Sequence, residues 1–145
     1  MSMTSTSLSE EARGFSWLLN GFVDKTAGVT DAVAVSSDGL LMAMSSSLSR
    51  GGAEQLAAII SGLVSLGNGA STCFGFEGLE QVIVTMRRGF LFVSSISDGS
   101  CIGVVSQRGC DIGLVGYQTT LLVERAGSVL TPELVAELKQ EMLVS

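Results

Sequence analysis

Residues 55–76 carry no charged side chain, and this stretch constrains the fold more than any other part of the sequence. Read as a helix, its large apolar residues follow the i, i+3, i+4 spacing of one face, while Ala57, Ser61 and Ser65 belong to a row of small residues on the other. A helix with no charge on any face is normally covered all round. We therefore predict that one face lies on the protein's own sheet and the other on a second copy of the chain.

Two alternatives for this stretch stay open. A run of about 20 uncharged residues is long enough to span a membrane, but the many serines and glycines make this one a poor membrane span. The second alternative is an ordinary core helix of a monomer. Gly62 costs about 1 kcal/mol relative to alanine inside a soluble helix, which favours a packing reason for a glycine at that position.

The composition favours an oligomer that does not bind nucleic acid. Charged residues make up 15% of the 145 residues, below the roughly 25% of a typical globular domain, so a monomer would expose a large uncharged surface. The net charge of −6 disfavours nucleic acid, which needs a basic surface. We expect one domain over 8–145 after a disordered tail at 1–7. We also expect a cytoplasmic location, because the N-terminus lacks the pattern of a signal peptide.

Turn and capping signals divide the rest of the chain into elements. Ser7 and Glu10 have the spacing of a capping box, and Asp38 with Gly39 between two apolar runs predicts a hairpin. The glycines within 67–69 leave the end of the central helix open. The predicted elements are a helix at about 8–26, hairpin strands at 32–35 and 40–44, the central helix from about 51, strands at 80–86, 90–96 and 100–105, a helix capped by Asp111 and a short helix capped by Thr131. This order predicts an α/β sandwich on one antiparallel sheet.

The search for catalytic chemistry finds little. The sequence has no histidine, which removes the commonest general base and the commonest metal ligand. It has neither a P-loop nor a G-x-S-x-G motif, and we predict no catalytic residue, no metal and no cofactor. The competing class is an enzyme built on Cys73, Cys101 or Cys110, although no histidine is present to activate them. Arg87 and Arg88 are either a contact for an acidic or phosphate-bearing partner or a solvated turn.

Several segments, by their order and spacing, resemble the Roadblock/LC7 family, in particular its bacterial homodimeric branch. They are DGL at 38–40, QLAA at 55–58, GLVSL at 62–66, QVIV at 81–84, GFLFV at 89–93, DIGLVGY at 111–117 and LTPEL at 130–134. The resemblance runs from about residue 8 to residue 143. Gln118 departs from it, because this branch usually carries an acidic residue after the tyrosine, so a charge contact there is not carried over.

The resemblance implies a profilin-like α/β sandwich. Its five-stranded antiparallel sheet would have the order 2-1-5-4-3, with the central helix on one face and the first and last helices on the other. Members of this family dimerise through their central helices and third strands. They act as scaffolds and regulators of small Ras-like GTPases. Some bacterial members stimulate GTP hydrolysis, and others occur beside a sensor-kinase-like protein.

We accordingly expect a homodimeric, non-enzymatic adaptor that regulates a small Ras-like GTPase and acts on it as an activating protein. The alternatives are a small-ligand-sensing domain, a passive scaffold and the cysteine-based enzyme. No nucleic acid binding and no direct membrane insertion are expected, and any membrane recruitment would pass through partners. The predicted dimer residues are Ala57, Ala58, Ser61, Gly62, Ser65, Val82 and Val84. The predicted GTPase contacts are Arg50, Glu54, Gln55, Arg87 and Arg88.

Overall fold

The computed structural model describes residues 9–144, so the predicted tail at 1–7 and its Ser7 lie outside the described residues. The elements follow the predicted order of helix, hairpin, helix, three strands and two helices. They are α1 (Glu10–Lys25), β1 (Val29–Val35), β2 (Leu41–Met44), α2 (Arg50–Phe74), β3 (Gln81–Met86), β4 (Gly89–Ser95), β5 (Cys101–Gln107), α3 (Ile112–Val129) and α4 (Pro132–Val144).

The strands form one five-stranded sheet in the order β2-β1-β5-β4-β3, and every pair of neighbours is antiparallel. The predicted hairpin joins β1 to β2, and Gly39 in its turn has a φ of +86°, a conformation that glycine adopts without strain. The order 2-1-5-4-3 and the sandwich architecture are confirmed. In this sheet β3 is an outer strand that pairs with β4 on one side only.

The helix starts are set by side chains that accept backbone hydrogen bonds. Asp111 and Thr131 cap α3 and α4 as predicted, since their side-chain oxygens accept from the N–H groups of Leu114 and Leu134 at 3.1 Å. The cap of α1 is Ser9, whose Oγ accepts from the N–H of Ala12 at 3.1 Å. The helix therefore begins two residues later than the predicted start at about residue 8, and Ser7 of the predicted capping box lies outside the described residues.

The central helix α2 is continuous to Phe74 and ends at Gly75, which has a φ of +67°. The glycines within 67–69 do not break it, because the loop after the helix folds back onto them. The Asn68 side chain accepts a hydrogen bond from the N–H of Leu79 at 3.0 Å. The Leu79 side chain occupies the space that a side chain at Gly67 would need.

The sheet separates two hydrophobic cores. On one face α1 and α3 cover a core that includes Phe15, Phe92 and Val115. On the other face α2 covers a core that includes Val33 and Ile60. The last helix, α4, sends Leu134 and Leu138 into the α1 core, as expected, and its end reaches round the β2 edge, where Met142 packs against the α2 core.

Candidate interaction surface

One side of α2 is buried and the opposite side is exposed. Ala53, Ala57 and Ile60 are buried against the sheet of their own chain. Half a turn away, Ile59 is 50% exposed and Leu66 is 75% exposed. We define the α2 outer face as the exposed residues Ala58, Ile59, Gly62, Ser65, Leu66, Gly69 and Cys73. It is uncharged throughout, and within residues 9–144 no other element covers it.

The outer edge of β3 lies next to this helix face. Val82 and Val84 are half-buried on the α2 side of the sheet, and Ile83 and Met86 are 44% and 46% exposed. Among residues 9–144, β3 pairs with β4 alone, so half of its backbone groups have no strand partner in this part of the chain. An edge of this kind is a template for pairing with another chain.

The predicted dimer residues divide between these two surfaces and the core. Ala58, Gly62 and Ser65 lie on the α2 outer face. Ala57 is only 3% exposed, so its side chain has almost no surface to offer a second copy, and Ser61 is half-buried. The reason is that α2 is rotated relative to the predicted orientation. Part of the row of small residues faces the sheet, whereas Ile59 and Leu66 point outward.

The predicted GTPase contacts lie in two separate places. Arg50, Glu54 and Gln55 lie at the start of α2, where Arg50 and Glu54 form an ion pair with a 3.0 Å distance between Nε and Oε2. Arg87 and Arg88 occupy the exposed turn between β3 and β4, at the opposite edge of the sheet. The structure therefore brings three of the five residues together and leaves the arginine pair apart.

Sequence reasoning missed an aromatic pair at the end of α2. Phe74 and Phe76 stack with 5.6 Å between their ring centroids, and they are 71% and 73% exposed. The signal that could have found them is the Phe-Gly-Phe ending of the uncharged stretch, because a glycine that ends a helix is often followed by an apolar residue that folds back towards the last turn.

Comparison with known proteins identifies the family. The family model of the Roadblock/LC7 domain matches residues 15–106. The chain belongs to the Roadblock/LC7 family. A Roadblock/LC7 domain from Streptomyces avermitilis is 36% identical, with a TM-score of 0.72, over 77% of this chain and 92% of that one. No curated protein matches.

Two gliding proteins share the fold of this Roadblock/LC7 domain. MglB from Myxococcus xanthus is 13% identical, with a TM-score of 0.76, and the match covers 86% of this chain and 96% of that one. MglB from Thermus thermophilus is 12% identical, with a TM-score of 0.75, over 86% of this chain and 93% of that one. At these identities the likeness concerns the fold, and it confirms the architecture implied by the sequence resemblance.

The three cysteines of this Roadblock/LC7 domain have different surroundings. Burial raises the pKa of the Cys101 thiol to about 11, and the negative charge of Asp98 contributes to the same shift. Cys101 is therefore protonated at neutral pH and is a poor nucleophile. The Cys110 thiol lies 3.3 Å from the Ser106 hydroxyl, and Cys73 is exposed on the α2 outer face. Residues 9–144 contain no group of three side chains that could hold a metal ion.

A groove between α1 and α3 bears on the ligand-sensing alternative. Its volume is about 290 Å³, and Trp17, Phe22 and Arg125 are among its lining residues. The Lys25 ammonium lies 5.9 Å from the centroid of the Trp17 ring. Small-molecule sites usually measure about 300–1,000 Å³. This groove lies just below that range, whereas a groove that Gln81 and Thr120 help to line measures about 460 Å³.

Within the described part of the chain, α2 is the one helix that is long and apolar enough to cross a membrane. Its sheet-facing residues Ala53, Ala57 and Ile60 are nevertheless packed in the core of the domain. In lipid every backbone polar group must be hydrogen-bonded within the protein. If α2 lay in a membrane, the sheet packed against it would expose the open β3 edge to lipid, where the backbone groups of that edge would have no partner. The exposed side of α2 is therefore better explained by a protein partner than by lipid.

Proposed function

We propose that this Roadblock/LC7 protein is a homodimeric, non-enzymatic adaptor that regulates a small Ras-like GTPase. Proteins of this family are generally regulatory adaptors, and the MglB gliding proteins share its fold. The observation that carries the proposal is the α2 outer face, which is uncharged, exposed and next to the unpaired β3 edge. An exposed apolar patch of this kind marks an interaction site in a soluble protein.

The second copy of the chain is the proposed occupant of this surface. A two-fold axis perpendicular to the sheet would pair β3 with its copy as antiparallel strands and would place the two α2 helices side by side in opposite directions. Gly62 and Gly69 have no side chain, and no neighbouring atom lies within 4 Å of the position that a Cβ would occupy, so the two backbones can approach closely. Ile59 and Leu66 supply the apolar area that the contact buries.

The GTPase is proposed to bind where both α2 helices meet the solvent. The starts of the helices supply its polar rim, through the Arg50–Glu54 pair and Gln55. A regulator shifts a molecular switch only by its differential affinity for the two states. We therefore propose that the dimer binds the GTP form more tightly than the GDP form, and that it stimulates hydrolysis by its partner. A cytoplasmic location and a sensor-kinase-like partner belong to the same proposal.

The test is a binding measurement with a small Ras-like GTPase from the organism that encodes this protein. The purified GTPase is loaded with GDP or with a non-hydrolysable GTP analogue and titrated with the dimer by calorimetry. The proposal expects tighter binding of the GTP analogue form. Equal affinity for both forms would leave a passive scaffold, and no binding of either form would remove the GTPase from the proposal. Titration of the protein with GTP alone is the control and is expected to give no binding.

A further inference from the structure

The open edge of β3 lacks the features that usually keep a sheet edge from pairing. Native proteins protect such an edge with charged side chains, proline, bulges or a covering element. The six residues of β3, Gln81–Met86, include no charge and no proline, and their register with β4 is regular. At the opposite edge of the sheet β2 has only four residues, and α4 packs against it. The β3 edge is therefore suited to pairing with another strand.

The hydrogen bonds of β3 decide which of its residues can pair outward. The N–H of Ser95 donates to the carbonyl of Glu80 at 3.0 Å, so Glu80 is bonded to β4. Hydrogen-bonded and non-hydrogen-bonded pairs alternate along an antiparallel ladder, and the even-numbered residues of β3 are therefore the ones that bond to β4. The backbone N–H and C=O groups of the odd-numbered residues Gln81, Ile83 and Thr85 face the open edge.

This alternation limits the registers in which β3 can pair with a second copy. In an antiparallel pair related by a two-fold axis, residues equally far before and after the axis lie opposite each other. Outward-facing residues must lie opposite outward-facing residues to exchange hydrogen bonds. The axis must therefore pass through a residue and not between two residues. The positions in the second half of the strand that keep most of it paired are Ile83, Val84 and Thr85.

The side chains on the α2 side of the sheet favour the axis at Val84. Val82 and Val84 pack on this side, and the axis at Val84 places Val84 opposite its own copy and Val82 opposite Met86. All these side chains are apolar. An axis one residue earlier would place Glu80 opposite Met86, and an axis one residue later would place Val82 opposite Arg88. Either shift sets a charge against an apolar side chain.

The charges at the two ends of β3 match the same register. Glu80 precedes the strand and Arg87 and Arg88 follow it, and none of the three makes an ion pair in the described part of the chain. A third cation, Arg108, is hydrogen-bonded to the backbone at the arginine end. A second carboxylate, Glu124, lines the same groove as Glu80 at the other end. Antiparallel pairing brings the acidic end of one copy to the basic end of the other.

We propose that Glu80 of each copy forms an ion pair with the Arg87–Arg88 turn of the other, and that these two contacts set the register of the paired β3 strands. The two-fold axis then passes through Val84, and Arg88 lies opposite Glu80. This inference rests on the proposed homodimer and names the residues that align it. It also gives the arginine pair, which lies far from the start of α2, a partner in the second copy.

Disulfide trapping tests the register. Ile83→Cys, Val84→Cys and Thr85→Cys are made singly in a Cys73→Ser background, which removes the exposed cysteine of the α2 outer face. A residue on the axis lies about 4.5–5.5 Å from its own copy, a distance that a disulfide spans. One position from the axis, the copies are offset by two residues, about 6.6 Å along the strand, and their Cα atoms are more than about 7 Å apart. We expect a covalent dimer from Val84→Cys on mild oxidation with copper phenanthroline, and none from the background.

The other outcomes of the trapping experiment are distinguishable. Preferential cross-linking of Ile83→Cys or Thr85→Cys shows a different register and overturns the proposed ion pair. A dimer in solution that cross-links at none of the three positions shows that β3 does not pair with its copy. That result also overturns the ion pair, but it leaves a homodimer through α2 intact. A monomer at all concentrations contradicts the proposed function itself.

Charge reversal tests the ion pair directly. Glu80→Arg brings like charges together twice in each dimer, and so does the double variant Arg87→Glu with Arg88→Glu. Each should raise the dimer dissociation constant at least about tenfold in sedimentation at low salt, and the difference should shrink at high salt because the charges are exposed. Glu141→Arg on α4 changes the net charge as much as Glu80→Arg and is the control, which should leave dissociation unchanged.

An equimolar mixture of the two charge-reversed proteins separates a specific contact from a general effect of charge. In a mixed dimer both contacts again join opposite charges, one in the original sense and one reversed. Native mass spectrometry resolves the three dimers by mass, and we expect the mixed dimer well above its statistical share. A statistical share of mixed dimers, or charge-reversed variants that dissociate like the unmodified protein, overturns the proposal.

Discussion

Ile60 of α2 occupies the space beside Gly103 of β5 that any side chain at position 103 would need. Both residues belong to the closely packed part of the α2 core, where Val33 of β1 also approaches Gly103. Glycine inside a strand loses more conformational freedom than other residues, and here it permits the helix to lie close to the sheet. The contact sets the rotation of α2 and therefore which residues form its outer face.

We expect Gly103→Ala to destabilise the protein by about 1–3 kcal/mol, because Ile60 is completely buried and must move away from its preferred position. Urea denaturation at a fixed protein concentration measures the effect. Gly109→Ala is the matched control, since no neighbouring atom lies within 4 Å of the added methyl group. A Gly103→Ala protein as stable as the control would show that Ile60 adjusts without cost.

The contact of Ile60 also explains why the helix α2 was predictable and its orientation was not. Residues 55–76 are uncharged on every side, so hydrophobicity alone cannot select the face that meets the sheet. Packing selects it: Ala53 and Ala57 allow close approach, and the larger Ile59 and Leu66 are left outside. The interface prediction consequently included Ala57, a residue of the core.

The start of α1 shows a second limit of local patterns. Ser7 and Ser9 are both residues of a type that caps helices, and the sequence nearby favours the capping box of Ser7. A contact that is distant in the sequence holds Ser9 at the start of α1. The N–H and the hydroxyl of Ser9 each donate a hydrogen bond to the Glu137 carboxylate at 2.8 Å. In contrast, Asp111 and Thr131 were predictable, since their caps depend on residues three positions away.

The Ser9–Glu137 contact predicts that the stability of the folded protein depends on pH in the acidic range. The backbone N–H and then the hydroxyl of Ser9 hold the pKa of the Glu137 carboxyl below its ordinary value of 4.5. A carboxyl with a depressed folded-state pKa stabilises the protein above its unfolded pKa, and this contribution disappears as the pH falls through the lower folded-state value. We expect Glu137→Gln to lower the melting temperature at pH 7 and to lose this difference below the folded-state pKa.

Glu141→Gln, one turn later on α4, is the control for this pH dependence. It removes the same charge from the same helix, and neither hydrogen bond of Ser9 involves it. Its effect on the melting temperature should be small and similar at each pH. If Glu137→Gln and Glu141→Gln behaved alike from pH 3 to pH 7, the contact would not contribute to stability in solution.

The proposed homodimer predicts that Gly62→Glu converts the protein to monomers or to a precipitate. Two carboxylates would be brought close together at the two-fold axis and removed from water, which is strongly unfavourable. Light scattering with size exclusion measures the result. Gly14→Glu on α1 is the control, because this glycine is also exposed and has no neighbouring atom within 4 Å of an added Cβ. A soluble and stable Gly62→Glu dimer would place the interface elsewhere.

The last prediction concerns the start of α2. We expect the double variant Arg50→Ala with Glu54→Ala to weaken GTPase binding roughly tenfold while the dimer stays intact. The fold should tolerate the change, because an exposed i,i+4 ion pair contributes only about 0.3–0.5 kcal/mol. The dimer should tolerate it because neither residue belongs to the α2 outer face, and the variant removes one charge of each sign.

Titrating this double variant with the GTPase in both nucleotide states shows whether Arg50 and Glu54 contribute equally to binding of both states or favour the GTP form. A regulator with about 100-fold preference for the GTP form has about 2.7 kcal/mol of coupling, and part of that preference should be lost with Arg50 and Glu54. Arg87→Ala with Arg88→Ala is the comparison variant at the β3–β4 turn. If the Arg50 and Glu54 variant bound normally and the arginine variant did not, the GTPase would bind at that turn, since the start of α2 lies near the β2 edge of the sheet and the turn lies at the β3 edge.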